Sequence, residues 1–315
     1  MALGAGEVVA APDWNKVPVK KINAFYPGVA SFEWVTTVAD HSGAKGIRKG
    51  ETCASCHEME EPDIGAKIAS GEKLEPKPVK GKAGSIAVSV QAAHDADNLY
   101  IRFQWKDTVP SGAEKEDKKN QVKVALMLED NKVELGNIGG CWATCHSDLR
   151  GMPDVNPDAA KHPRAKEIDI RKNGPTKYIK ESRTSIELKT PPRGGWDKLR
   201  PEAELAALLK EGKFFYMMQY RDSEKPRTGY VLGGRFLKAA EGAAEGRHAD
   251  GTWTVTFTRK LAASGAGDFA IAAGKTYNFG FAIHDDWANE RHHHVSFGYT
   301  IGLDDAKADI QAVKQ

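Results

Sequence analysis

Residues 85–105 read Ser85-Ile-Ala-Val-Ser-Val-Gln-Ala-Ala-His94-Asp-Ala-Asp-Asn98-Leu-Tyr-Ile-Arg-Phe-Gln-Trp105. Apolar and polar residues alternate on either side of the polar stretch from His94 to Asn98, the period-two pattern of strands that each bury one face. Two such runs joined by a short turn rich in Asp and Asn predict an antiparallel hairpin. His94 falls in the turn and reads as a capping residue.

Farther along, Val122-Lys-Val-Ala-Leu-Met-Leu128 is a third strand, apolar enough to be central, with Met127 in the core. The charged stretch from Ser111 to Gln121 ahead of it reads as a loop. Strand patterns recur at Thr184 to Leu188, Lys213 to Tyr220, Gly251 to Arg259, Tyr277 to Ile283 and His294 to Ile301, with Met217 and Met218 as packing residues. Pro201 to Glu211 is predicted to be a short helix. Proline opens it, Leu205, Leu208 and Leu209 share one face, and Gly212 stops it. A terminal helix is expected over Asp304 to Val313. Many short strands separated by turn signals make the fold mainly β, a β-sandwich or barrel.

Two cysteine runs carry the chemistry. Cys53-Ala-Ser-Cys56-His57 has the C-x-x-C-H spacing of covalent haem attachment, in which both thiols form thioethers with the porphyrin vinyl groups and the next His ligates iron. Gly139-Gly-Cys141-Trp-Ala-Thr-Cys145-His146 is the same device with one more residue between its cysteines, which a tight turn absorbs. The chain has 4 cysteines, and these two runs hold them all. A disulfide framework would scatter its cysteines. A pooled zinc site would leave unexplained why His57 and His146 each follow a cysteine pair. No thioredoxin-like βαβ pattern surrounds either run. The expected cofactors are two covalently bound haems c on Cys53, Cys56, Cys141 and Cys145, with His57 and His146 as proximal ligands.

His41 lies in Asp40-His41-Ser42-Gly43, a Gly-broken segment able to fold back over the opposite haem face. It is the expected distal ligand of the first haem, with a plain surface-turn histidine as the alternative. The acidic cluster Glu58, Glu60, Glu61 and Asp63 follows His57. Such clusters are commonly just solvated; beside a haem this one can steer a basic redox partner. Met152 reads as a haem contact and His162 as a loop residue.

At 315 residues with 45 basic and 43 acidic side chains, the net charge of +2 points to neither a nucleic-acid nor a membrane-surface partner. No apolar run approaches the roughly 20 residues of a membrane span. Met1-Ala-Leu-Gly-Ala-Gly-Glu7 lacks the charged region and apolar core of a signal peptide. Haem c is attached outside the bacterial cytoplasm, so the expectation is a periplasmic protein whose natural signal has been removed. Residues 1–80, punctuated by Gly and Pro and bearing Trp14, Phe25, Tyr26, Phe32 and Trp34, read as an irregular or helical, cytochrome c-like segment around the first haem. Lys73 to Lys82, with Pro76 and Pro78, reads as a linker. Residues 81–315 read as a β-sandwich haem-binding domain with a haem-bearing insertion at about 129–180.

Glu290-Arg-His-His-His-Val-Ser296 follows closely on His284-Asp-Asp-Trp287. Strand alternation places His292 and His294 on one face and His293 on the other. One of the three is expected to reach the second iron, His293 first and His294 next.

From about residue 82 to 303 the chain resembles the haem-binding γ-subunit domain of ethylbenzene dehydrogenase and its dimethylsulfide dehydrogenase and selenate reductase relatives. The resemblance rests on Ala93-His-Asp-Ala-Asp-Asn-Leu-Tyr-Ile-Arg-Phe-Gln-Trp-Lys-Asp107, on Gly251-Thr-Trp-Thr-Val-Thr-Phe-Thr-Arg-Lys-Leu261, and on Phe281-Ala-Ile-His-Asp-Asp-Trp287 with Glu290-Arg291 to Leu303. It implies a β-sandwich that holds one haem b between a Met and a Lys. Those positions fall near Cys141 to His146 and within His292 to His294, so this sequence departs from the pattern at both ligands. The same pocket would then hold an attached haem between His146 and His293 or a neighbour. The first 80 residues lie outside the resemblance.

The function expected from these residues is that of a periplasmic dihaem cytochrome c passing electrons between redox protein partners, and not an enzyme. Irons with both axial positions filled by protein exchange electrons but do not readily bind substrate. The alternatives are a peroxidase-like dihaem enzyme or gas sensor with one open iron, and an electron-transfer subunit of a molybdenum oxidoreductase. The oligomeric state is left open.

Overall fold

The computed structural model describes residues 11–28, 30, 35, 41–75, 77–108, 116–138, 179–184, 198–289 and 291–315. Cys141, Cys145 and His146 lie outside the described residues, as do Met152 and His162.

β1 (Lys20–Phe25) precedes the hairpin of β2 (Ser85–His94) and β3 (Asn98–Lys106), which pair antiparallel as expected. Asp95 closes the turn by accepting from the backbone N–H of Asp97 at 2.7 Å and of Asn98 at 2.6 Å, and from the Tyr100 hydroxyl at 2.7 Å. His94 caps the same corner, its Nε2 2.9 Å from Asp304 Oδ2. Then come β4 (Lys123–Glu129), β5 (Arg183–Thr184), β6 (Lys198–Leu199), β7 (Phe215–Arg221), β8 (Glu224–Val231), β9 (Arg235–Ala239), β10 (Ala244–Ala249) and β11 (Thr252–Lys260). The last four are β12 (Thr276–His284), β13 (His294–Val295), β14 (Tyr299–Leu303) and β15 (Ile310–Lys314).

Among the described residues β5 pairs with β6, and 13 strands join one sheet in the order β10-β11-β3-β2-β1-β13-β12-β4-β7-β8-β9, with β14 and β15 beside it. The sheet doubles over into two layers. β3 and β12 are not neighbours in it, yet the Phe103 ring lies 5.0 Å from Phe281 and 6.2 Å from Phe279. β15 closes one side by pairing in parallel with β14 and β2. The result is the expected sandwich, with apolar side chains interdigitating between its layers. Phe103, Phe257, Phe279 and Phe281 are almost fully buried there, each contributing about 1.5–3 kcal/mol of transfer free energy. β4 is buried along its whole length between β12 and β7, the central place its apolar run predicts.

The expected terminal helix is instead β15. Asp304 takes a positive φ of 49°, its Oδ1 accepts from the Lys314 N–H at 3.0 Å, and Ile310 and Ala312 turn into the core. The single strand expected from His294 to Ile301 is broken, because Ser296 to Gly298 leave the ladder between β13 and β14. β8, β9 and β10 went unread because their side chains are mostly half-buried or exposed, which blurs the alternation.

The N-terminal residues do not stand apart from this sheet. β1 pairs Ile22 with Val88 of β2 and Phe25 with Val295 of β13. Between β1 and β2 lie α1 (Ala44–Ile47), α2 (Cys53–His57) and α3 (Glu61–Ala69); α4 (Glu202–Glu211) is the helix predicted before Gly212. α3 sits directly on the sheet because a Cβ at Gly65 would stand 1.9 Å from the Gly84 carbonyl oxygen. A buried cluster ties this region to the C-terminal half: Arg291 Nη1 and the Tyr26 hydroxyl both donate to Glu75 Oε2. Among the described residues no helix is long and apolar enough to cross a membrane.

Candidate haem site

α2 is the Cys53–His57 run itself. The Ser55 N–H donates to Thr52 Oγ1 at 3.2 Å, capping the helix, and one helical turn brings Cys53, Cys56 and His57 to the same face. That face lines a cavity of about 320 Å³. Phe25, Val35, Ile47, Leu74 and Phe297 supply apolar wall; Glu51, Glu60, Lys67 and Lys73 are its charged members. Cys53 is buried, and burial pushes its thiol up to about 12, so the uncharged form belongs there. A thioether is likewise uncharged. Cys56 is exposed.

His57 and His41 meet across this cavity with ring centroids 6.0 Å apart and planes tilted by 32°. Each ring is anchored through Nδ1, that of His57 2.9 Å from Glu60 Oε2 and that of His41 2.8 Å from the Val35 carbonyl oxygen. Oxygen acceptors at both Nδ1 atoms put the proton there and the lone pair on Nε2, the arrangement in which a histidine ligates a metal. A metal–imidazole bond is about 2 Å, and the ligating nitrogen is about 1 Å from its ring centroid, so one iron fits between rings this far apart. Phe297 stacks on His57 at 6.3 Å. Gly43 leaves room for His41, since a Cβ there would stand 2.9 Å from His41 Cε1. The residues present therefore fit a haem c. Among the described residues no three His, Cys, Asp or Glu side chains stand together as ligands of a bare metal ion. A haem iron needs only two from the protein.

The histidine run lies elsewhere. His294, fully buried on β13, has Nε2 2.8 Å from the Ala83 carbonyl oxygen and Nδ1 3.2 Å from Asp285 Oδ1. Lys82 Nζ also reaches Asp285, at 3.4 Å. Burial pushes the Asp285 carboxyl up, but His294, Lys82 and the Thr108 hydroxyl outweigh it and hold it well below the usual carboxylate range. His293 is buried with its ring 4.9 Å from that of His284. His292 contacts Glu116 Oε1 through Nδ1, and its Nε2 is buried without a hydrogen-bond partner among the described residues. Cys141, Cys145 and His146, the residues read with this run as a second haem site, lie outside the described residues.

Sequence reasoning missed Gly43, Glu60 and Phe297 as supports of the two histidines. Glu60 stands three residues after His57, and that spacing was the one available signal. Met59 is 83% exposed and does not line the cavity.

The ethylbenzene dehydrogenase family model matches residues 11–296. The match starts far ahead of residue 82, so the N-terminal residues left outside the resemblance belong inside it from residue 11 onward. Cytochrome c-552 of Stutzerimonas stutzeri is 43% identical over 315 residues, covering 98% of this chain and 94% of that one. Cytochrome c-551 of Rhodocyclus tenuis is 33% identical over 306 residues, covering 97% and 100%. Among solved structures, a family 9 carbohydrate-binding module of Caldicellulosiruptor kristjanssonii aligns with 68% of this chain and 65% of its own at 10% identity and a TM-score of 0.27, a likeness too slight to bear on function. On the extent of the family match and the identity to these two relatives, the chain belongs to the ethylbenzene dehydrogenase family.

Proposed function

We propose that the protein is a periplasmic dihaem cytochrome c that carries electrons between redox protein partners. The observation carrying this is the His41–His57 pair, 6.0 Å apart across a cavity walled by Cys53 and Cys56. The relatives named cytochrome c-552 and c-551 support a cytochrome electron carrier rather than an enzyme. When bound, the haem supplies reversible one-electron chemistry. Cys53 and Cys56 would attach it, and His57 and His41 would hold its iron. Glu60 and the Val35 carbonyl fix the two rings, and Phe25, Val35, Ile47, Leu74 and Phe297 supply the apolar wall around them. With both histidines on the iron, no position would be left there for substrate.

The second haem belongs on Cys141 and Cys145 with His146 as proximal ligand, and its distal nitrogen comes from the run His292 to His294. His294 has contacts at both ring nitrogens. His292, with Nδ1 on a carboxylate and a buried Nε2, carries the pattern of a ligating histidine and joins His293 and His294 as a candidate.

Intact-protein mass spectrometry with a pyridine haemochrome assay tests the reading on protein matured in a periplasm. Two covalent haems per chain are expected. One haem would remove Cys141 and Cys145 from the site, and none would overturn the proposal. Carbon monoxide binding to the reduced protein at one haem per chain would favour the open-iron enzyme or sensor.

A further inference from the structure

Glu61, the first residue of α3, differs from the acidic residues around it. Glu58, Glu60 and Asp63 are exposed, whereas Glu61 is 5% exposed. Its Oε2 is shut off from solvent and has no hydrogen-bond partner among the described residues. At that oxygen a carboxylate lacks the donor an anion needs, and a neutral carboxyl tolerates the place better.

The position matters as much as the burial. Cys53, Cys56 and His57 of α2 face the haem cavity, while Thr52, Ala54, Glu58 and Glu61 line a second, polar cleft of about 270 Å³. Glu61 thus stands four residues beyond the proximal histidine, on the polar-cleft side of α2. Glu60, not Glu61, holds the His57 ring. The charged and titratable groups facing Glu61 come from every element around it: His57, Glu58 and Glu60 before α3, Tyr299 of β14, Lys20 and Lys21 of β1, and Asp309 ahead of β15. Burial is the main force pushing its carboxyl up. The backbone amide at the helix start opposes it, Glu58 and Glu60 add to it, and His57 draws it back.

We propose that Glu61 is the redox-linked proton site of the first haem, binding a proton from water in the cleft when the iron gains an electron and releasing it when the electron leaves. The inference rests on the haem reading of Cys53, Cys56, His57 and His41. One electron enters from a reduced redox partner and one proton enters at the carboxyl, so the net charge of the buried site is the same in both states. The O–H bond formed at Glu61 is the only bond made, and it is broken on reoxidation.

The test is the midpoint potential of the first haem in the full holoprotein, followed from about pH 4 to about pH 9. Haem content is measured first by mass. A chain without haem on Cys53 and Cys56 fails the parent reading, whereas a loaded chain with a pH-independent potential fails this one alone. The wild type is expected to show a pH-dependent window in which a tenfold change in proton concentration shifts the potential by up to about 59 mV. Glu61→Gln is expected to abolish that window, and Glu58→Gln, at an exposed neighbour, to retain it. The same window in Glu61→Gln overturns the proposal. Should Glu61→Gln lose its fold, the redox-difference infrared spectrum of the wild type decides. A carboxyl C=O band that appears on reduction and moves on glutamate isotope labelling supports the proposal, and its absence overturns it.

Discussion

Gly43 packs so closely on His41 that a Cβ added there would stand 2.9 Å from Cε1 of the ring. A methyl group in that space pushes the imidazole off its line to His57, at an overpacking cost of about 1–3 kcal/mol. Gly43→Ala is therefore expected to give a mixture of low-spin and high-spin first haem. Ferric optical spectra, with a high-spin charge-transfer band in the variant alone, check this.

On the proposed haem, the Glu60 carboxylate on His57 Nδ1 would make the imidazole a stronger donor and favour the oxidised iron. Glu60→Gln should raise the potential of the first haem by tens of millivolts, on the order expected for loss of a hydrogen-bonded charge. The pair is partly exposed, so the difference should shrink as salt rises. Spectroelectrochemical titration at two ionic strengths reads both effects.

Arg291 and Glu75 are buried together, with side-chain exposures of 7% and 0%. Burial, together with the hydrogen bond to Glu75, holds the Tyr26 phenol above its usual range. Removing the cation leaves a buried carboxylate, so Arg291→Ala should destabilise the fold by about 3–5 kcal/mol. The paired replacement Arg291→Met with Glu75→Leu should recover much of the loss in denaturant unfolding.

Asp95 in the β2–β3 turn titrates at about 2, because the Tyr100 hydroxyl and the Asp97 and Asn98 N–H groups outweigh the opposing effect of burial. Its folded value lies below the unfolded one, so its contribution is present above the ordinary carboxylate range and is lost as pH falls. Denaturant midpoints should drop between about pH 4 and about pH 2, and the drop should be shallower in Asp95→Asn.

Met59 is 83% exposed, and the exposed Cys56, Glu58, Glu60 and Asp63 lie within four residues of it in sequence. Electron transfer to a basic redox protein should slow as ionic strength rises. Glu58→Lys with Asp63→Lys should reduce the low-salt rate about tenfold in stopped-flow measurements.

The sequence was readable where side chains face two clearly different surroundings. β2, β3, β4, β11 and β12 alternate or run apolar because the sandwich interior covers them. The last segment was misread because Ile310 and Ala312 are packed through parallel pairing with β14 and β2, a long-range relationship that leaves no local mark. Cys53, Cys56 and His57 were legible from their spacing. The structure brings His41, singled out for its Gly-broken neighbourhood, to His57, whereas Phe297 arrives from 240 residues away by the coupling of β13 to β1. Glu61 was hidden among acidic residues that share its chemistry and not its burial.

The central proposal is that His41 and His57 are the two axial ligands of one iron. Low-temperature electron paramagnetic resonance of the ferric protein, wild type against His41→Ala, measures that. Low-spin signals alone are predicted for the wild type. In His41→Ala one haem of the two should become high-spin and return to low spin on adding imidazole. Unchanged low-spin signals from both haems in His41→Ala would contradict the account.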